Sequence, residues 1–385
     1  MPRRLSLFAT TTRGTEDLLA AELSDLGAVK IRQDRGGVRF AANLQEALRI
    51  CLWTRIAMRV LHPLGEFEVH GAEGLYDAAA SVPWEEHLTT ASTFMVEATL
   101  RDSEHDHSGF VGLKIKDAIA DRMRSKFGAR PDVDTRQPIV RVVAHLAKAK
   151  LALSLDLCGE PLHRRGYRVS PIVTPLKETL AAAILRAAKY TGDEPLLDPM
   201  CGSGTFAIEA ALIARRRAPG LRRAFAVERW PHMGADATRT LTDLRREAQA
   251  GERQAPYAIA GFDRQEEAVV AAAKNVAAAD VADTVRIAQA DAGKPLPIPT
   301  APPGLLVSNP PYGNRLKAGG QQGMKTFYFH LGESFRRLDG WRMVILSGNP
   351  AFESAFHRRP TARRALWNGP IECQLLSYAP ARAES

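Results

Sequence analysis

Apolar and polar positions change rhythm once along the chain, near residue 177. Before it, short alternating stretches trade places with amphipathic runs; after it, compact apolar runs alternate with long segments of helical period. Alternation over 5–12 predicts a strand. Leu18, Leu19 and Leu23 then share one side of a helix that Thr15 can cap, with Glu16 and Asp17 in its first turn and Gly27 at its end. Strand pieces follow over 29–33 and 37–41, around Arg35-Gly36-Gly37. A second helix starts after Asn43 and runs through Leu44, Ala47, Leu48 and Leu52. Strand-helix-strand-strand-helix predicts a small α+β, ferredoxin-like unit over residues 1–60.

Residues 61–160 read as a second unit. A helix is expected over 75–80, a strand over 94–101, an amphipathic helix over 111–127, and a hairpin of strands over 139–145 and 151–157. Residues 161–176 form a linker. It contains Leu162-His163-Arg164-Arg165-Gly166-Tyr167-Arg168 and a proline-punctuated stretch over 171–175. From 177 to 385 helix and strand alternate, the mark of a doubly wound parallel sheet. Strands are expected over 195–198, 257–261, 285–288, 305–307 and 342–347, with helices over 178–190, 206–214, 266–279 and 327–338. A hairpin over 366–378 has Asn368-Gly369 at its turn. The Arg-rich insertion over 215–251 carries no element assignment.

Length and charge narrow the class. A chain of 385 residues, 45% apolar and 25% charged, suits two or three soluble domains. Lys and Arg outnumber Asp and Glu, 52 to 43, for a net charge of +9, which favours a polyanionic partner. Lys148 and Lys150 stand at the expected hairpin tip, and Arg164, Arg165 and Arg168 in the linker; these are the candidate RNA contacts. The four cysteines form no C-x-x-C pair, so neither zinc site nor disulfide framework is expected. His105-Asp106-His107 lacks further ligands nearby and reads as a polar loop capping the next helix. No apolar signal core opens the chain, and no charge-free apolar run approaches the ~18 residues of a spanning helix. A cytoplasmic protein is expected, with no membrane contact, no metal and no obligate protein partner.

The chemistry gathers at strand ends. Asp198 closes one strand and is followed by Pro199-Met200-Cys201-Gly202-Ser203-Gly204-Thr205, whose glycines let a ligand approach the backbone. Asp263 ends the next strand and Asp291 follows the third, so all three acids fall on one carboxyl edge. Asp263 can accept both ribose hydroxyls of a nucleoside, and Asp291 an adenine amino group. After the fourth strand come Ser308-Asn309-Pro310-Pro311-Tyr312-Gly313. Two prolines stiffen this loop, which offers an amide oxygen, free carbonyls and a ring to a planar amine. Each acid alone is an ordinary turn residue or helix cap, and the proline loop alone an ordinary turn. Together they are in register.

The segment 198–205 with Glu209, the junction from Leu153-Ser154-Leu155-Asp156 through Gly159-Glu160-Pro161 to Arg168, and Ala218-Pro219-Gly220-Leu221 with Glu228-Arg229-Trp230 carry a resemblance over essentially the whole chain. The chain resembles THUMP-containing class I RNA methyltransferases, in particular the bacterial guanine-N2 methyltransferases of 23S rRNA and their archaeal tRNA relatives. The resemblance implies a ferredoxin-like domain, a THUMP domain and a Rossmann-like catalytic domain binding S-adenosyl-L-methionine. It implies a donor site at Asp198, Met200, Gly202, Ser203, Gly204, Thr205, Asp263, Asp291 and Ala292, and a target base held by Asn309, Pro310, Pro311 and Tyr312. Some bacterial relatives carry a second methyltransferase domain; this sequence has one, so the activity of the second is expected to be absent. The RNA partner is expected to be 23S rRNA, with tRNA guanine-N2 methylation as the first alternative. Three further readings stay open: methylation of a different sp2 amine in DNA or protein, a nicotinamide dehydrogenase using G-x-G-x-x-A, and a non-catalytic RNA-binding or assembly factor.

Overall fold

Strands of the front half close into a single sheet. The computed structural model describes residues 4–170, 175–297, 302–312 and 320–380. Gly313 and the 171–174 part of the expected linker lie outside them. The front half runs β1 (Leu5–Thr10), α1 (Glu16–Asp25), β2 (Val29–Asp34), β3 (Gly37–Ala42), α2 (Leu44–Trp53), β4 (Arg59–Glu68), α3 (Gly71–Ser81), β5 (Thr93–Arg101), α4 (Ser108–Phe127), β6 (Asp132–Val133), β7 (Val140–Ala147) and β8 (Lys150–Asp156). Asn43 starts α2 with a capping box: its side chain accepts from Glu46 N at 2.9 Å, and its own N–H donates to the Glu46 carboxylate at 2.8 Å, which is worth about 1 kcal/mol. Thr15 does not cap α1. Its hydroxyl donates backward to the Thr12 carbonyl at 2.6 Å instead. His107 does cap α4, accepting from Phe110 N at 3.1 Å.

The sheet order is β2-β3-β1-β4-β8-β7-β5-β6. The ten-residue β4 went unread in the sequence because Pro63 and Gly65 interrupt its alternation. Its register to β8 shifts between those two residues, a bulge that absorbs both. β4 pairs with β1 on one side and β8 on the other, so the expected boundary between residues 60 and 61 falls inside a strand.

The rear half runs α5 (Glu178–Ala187), β9 (Leu196–Asp198), α6 (Thr205–Ala214), α7 (Gly234–Ala250), β10 (Ile259–Asp263), α8 (Glu266–Ala278), β11 (Val285–Gln289), β12 (Leu305–Ser308), α9 (Gly320–Arg336), β13 (Arg342–Ser347), α10 (Phe352–Phe356), β14 (Ala362–Asn368) and β15 (Ile371–Tyr378). Its sheet has the order β11-β10-β9-β12-β13-β15-β14, with β9 to β13 parallel and β15 and β14 antiparallel. Successive strand residues feed opposite layers: Leu196 joins the core with α5, α6 and α8, and Leu197 the core with α9 and α10. In the last hairpin Asn368 pairs with Ile371, so Gly369 and Pro370 make the turn, one residue later than expected. Gly369 at φ +63° takes the first turn position, as a II′ turn requires.

The insertion holds α7, which an Arg-rich composition hid. Ala237, Leu241, Leu244 and Ala248 recur at helical spacing and are buried. They join the core of the front half, where α7 lies on α2.

Candidate active site

β9 lies between β10 on one side and β12 on the other, so successive connections leave it in opposite directions. A doubly wound sheet opens a crevice at such a point, at the carboxyl ends of its strands. The loop after β9 and the loop after β12 flank that crevice on adjacent strands.

The loop after β9 is tied down from three sides. Gly202 N donates to the Asp263 carboxylate at 3.0 Å, and Cys201 N to the Phe262 carbonyl at 2.8 Å, fixing the loop to the end of β10. Gly204 sits at φ +83°, and a side chain there would stand 3.3 Å from Ala272 on α8. Only glycine meets both demands cheaply. Ser203 and Thr205 are buried, and their hydroxyls accept from Arg168 at 2.8 and 3.2 Å.

Asp198 is buried under the loop, with Met200 N at 3.3 Å as its hydrogen-bond donor. Burial, with the Asp263 charge adding to it, pushes its carboxyl well above the usual range. A buried acid short of donors fits a cationic ligand group beside it. Asp263 accepts from Gly202 N and Gln265 N, one on each oxygen, leaving further lone pairs toward the crevice. Ala290 N bonds the Asp263 carbonyl, which brings Asp291 and the buried Ala292 to the same edge; Asp291 itself accepts from Gly293 N at 3.0 Å. The three acids, the glycine loop and Asn309 thus lie at or after the carboxyl ends of the neighbouring strands β9, β10, β11 and β12.

The loop after β12 is also pinned. Tyr328 on α9, fully buried, donates to the Pro311 carbonyl at 2.7 Å, and Asn349 after β13 donates to the Tyr312 carbonyl at 3.1 Å. Among the described residues the Pro310 carbonyl has no donor, and the Asn309 amide oxygen has one, the Tyr312 hydroxyl at 2.5 Å. The Cys373 thiol donates in turn to that hydroxyl at 3.6 Å. The Tyr312 ring lies against Gly348, where a side chain would stand 2.9 Å from Cδ2. Burial, followed by the neighbouring Cys373, holds its phenol protonated far above the ordinary range. A ring expected to be open for stacking thus has one side packed and its hydroxyl engaged.

The basic candidates separate. Lys148 and Lys150 stand exposed at the β7–β8 turn, Lys150 paired with Glu66. Arg164 is exposed beside Glu160 at 2.6 Å. Arg165 faces inward, correcting its expected role: its guanidinium donates to the Leu162 and Arg55 carbonyls at 2.7 and 2.6 Å and lies 3.6 Å from Glu209. Arg168 is likewise spent inside, on Glu178, the Leu176 carbonyl, Ser203 and Thr205. Arg165 ties the linker to the front half, its Nε left without a hydrogen bond among the described residues, and Arg168 ties it to the rear half; a buried guanidinium is stabilised by such acceptors.

Sequence reasoning missed Asn275, Tyr328 and Asn349. Asn275 is fully buried on α8 and accepts from Val169 N and Ser170 N while donating to the Ser170 and Ser203 carbonyls. Its signal was present: one amide in the buried stripe Ala268, Ala271, Ala272, Val276. Tyr328 and Asn349 gave none, being an aromatic in an apolar stripe and a residue in a loop.

A class I methyltransferase fold is what this strand order and these two loops define. The family model described as RMKL-like, methyltransferase domain matches residues 165–377, and the chain belongs to that family. The RlmL ferredoxin-like domain matches residues 6–61 and the THUMP domain residues 70–156. The ribosomal RNA large subunit methyltransferase K/L of Syntrophotalea carbinolica is 42% identical over 387 residues, covering 98% of this chain and 54% of that protein. The chain spans about half the length of the curated relatives it matches. The crystal structure of SMU.472 complexed with SAH is similar over 100% of both chains, with a TM-score of 0.89 and 31% identity. So is a chain described as an N6-adenine-specific DNA methylase from Listeria monocytogenes, with 28% identity and a TM-score of 0.85, over 98% of this chain and 97% of that one.

Proposed function

We propose that this chain is an S-adenosyl-L-methionine-dependent RNA methyltransferase that methylates the exocyclic N2 of a guanine in 23S rRNA. The observation that carries the reading is the state of the acceptor loop. Two of its carbonyls, Pro311 and Tyr312, are tied down by Tyr328 and Asn349, while among the described residues Pro310 O has no donor and Asn309 Oδ1 has one, the Tyr312 hydroxyl. Two acceptors at the end of β12 match the two hydrogens of an NH2 group. Accepting both hydrogens draws electron density back onto nitrogen, pyramidalises it and localises its lone pair for attack. The N–H hydrogen-bonded to one of these acceptors supplies the proton lost as N2 gains its methyl group. Bound S-adenosylmethionine supplies an electrophilic methyl group. The protein's part is positioning and charge stabilisation, with no covalent intermediate.

In this reading Gly202, Ser203, Gly204, Thr205 and Met200 take the methionine end of the donor beside Asp198, Asp263 takes the ribose, and Asp291 with Ala292 the adenine. Residues 1–60 and 61–160 read RNA largely by shape, with Lys148, Lys150 and Arg164 on phosphates. Residues 161–176 join them to a catalytic unit over 177–385. Guanine in RNA rests on the names of the relatives and on the RlmL and THUMP matches. The acceptor pair alone suits adenine or cytosine equally.

The test is methyl transfer by the intact chain to unmodified 23S rRNA, tRNA and DNA, followed by nucleoside mass spectrometry. N2-methylguanosine in 23S rRNA is expected. Methyladenosine, or product only on DNA or tRNA, would refute the assignment. Asn309→Ala should lower turnover by at least about 100-fold while S-adenosylhomocysteine still binds. Tyr312→Ala should weaken base capture by about 1–3 kcal/mol if the ring stacks on the extruded base.

A further inference from the structure

The acceptor loop opens onto a surface that the chemistry above does not use. The buried side of α9 reaches the loop through Tyr328, whose hydroxyl bonds Pro311 O. One residue on, Phe329 turns to solvent, 40% exposed, and meets the edge of the His357 ring at 5.4 Å and 79°. Phe335 packs on Phe356, and Tyr328 on Phe352, so α9 and α10 hold one another and their outer faces form a single surface. Beside it runs an open groove of about 560 Å³, lined by Pro350, Ser354, His357, Arg358 and Arg359, with Glu353 and Arg363 at its wall. Pro350 follows Asn349, the residue that holds the Tyr312 carbonyl, so the groove begins at the acceptor loop.

Its charges are uneven. Arg363 is neutralised by Glu353 and Arg336 by Glu333, and Arg358 lies over the Tyr378 ring. Arg359 and Lys325, the latter one helical turn before Phe329, are exposed, and neither has an ion pair or hydrogen bond among the described residues. Glu353 in the same groove feels the Arg359 charge but is bonded to Arg363. An exposed cation without a bonded acid near an exposed ring is the arrangement that single strands of nucleic acid use: phosphate on the cation, a base on the ring.

We infer that this groove binds the RNA strand next to the target nucleotide, with Arg359 on a phosphate and Phe329 stacked on a neighbouring base. The inference rests on the RNA reading above and adds a grip within the catalytic half itself, separate from the front sheet. Holding the flanking strand stabilises the extruded state, since a base swung out of its helix must otherwise fold back.

The test uses the intact chain on unmodified 23S rRNA over a series of salt concentrations. Arg359→Ala should raise KM for RNA about fivefold, and its log–log salt slope should be shallower by about 0.7, the loss of one phosphate contact on a single strand. Arg359→Lys should restore the slope. Phe329→Ala should raise KM about tenfold with the slope unchanged. Neither should move the affinity for S-adenosylhomocysteine. Unaltered KM and slope in both alanine variants, with N2-methylguanosine still formed, would overturn the groove but leave the function standing. Loss of S-adenosylhomocysteine binding would also overturn it, by assigning these residues to the donor site. No methylated guanine from the wild-type chain would remove the RNA reading and the groove with it.

Discussion

Asp198 shows how one buried carboxyl can report on its ligand. Desolvation raises its pKa above the ordinary value near 3.8. As pH climbs, the unfolded carboxyl ionises first and the folded one keeps its proton, so its contribution to stability falls between the two pKa values. A cationic group bound beside it favours the ionised form and expels that proton. At a pH below its folded pKa, titrating S-adenosylmethionine in two buffers of different ionisation enthalpy should therefore show proton release that shrinks as pH rises, and Asp198→Asn should abolish it. At the same scale, the Tyr312 hydroxyl orients the Asn309 amide. Tyr312→Phe keeps the ring and frees the amide to rotate, so kcat should drop several-fold with little change in KM for RNA. An unchanged kcat would mean the hydroxyl has no orienting role. Asn309, Asp263 and Asp291 were legible in the sequence because a strand end followed by a polar residue is a local pattern. The groups that hold the rest of the Asn309 loop, Tyr328 on Pro311 O, Asn349 on Tyr312 O and Cys373 on the Tyr312 hydroxyl, come from three other parts of the chain, and no local pattern brings them together.

Among the elements, α7 shows what composition conceals. Its exposed arginines dominate the segment, yet Leu241 is fully buried against the front-half core. Leu241→Ala should cost about 2–5 kcal/mol, the range for truncating a buried leucine. It should shift the urea midpoint by a corresponding amount, with S-adenosylhomocysteine binding intact at low denaturant. A shift below about 0.5 kcal/mol would place α7 on the surface. The parallel strands β9, β10, β12 and β13 were readable because runs buried on both faces are close to continuously apolar. β4 was not, because its prolyl and glycyl residues break the alternation that a bulge restores in space.

Taken whole, the molecule joins its halves through buried polar groups. Arg165 reaches Arg55 O, Arg55 reaches the Leu212 and Arg217 carbonyls, and Tyr167 donates to Glu209. His163 sits at this joint, lowered to about 4 by desolvation and then by the Lys177, Arg164 and Arg165 charges. Unfolded, it titrates near 6.5, so between 6.5 and 4 the unfolded chain binds more protons than the folded one. Its contribution is complete above 6.5 and fades as pH falls toward 4. His163→Gln should flatten the pH dependence of the urea midpoint across that interval; equal slopes in both proteins would count against it. The class of the rear half, its ligand edge and the acceptor loop were all visible in the sequence. The joint was not, since Arg165 and Arg168 look the same whether they face solvent or protein.

The place of α7 also bears on the order in which the chain is made. The front-half core draws on Phe225, Val227, Trp230, Ala237, Leu241, Leu244 and Ala248, all synthesised well after the last front strand, β8, ends at Asp156. A ribosome extends the chain by roughly 5–20 residues per second, so the apolar side of α2 stays uncovered for some seconds while the rear half emerges. A fragment ending shortly after β8 should collect in inclusion bodies, whereas the chain through α7 and its own sheet should not. The front half is completed from the rear half, and the two mature together.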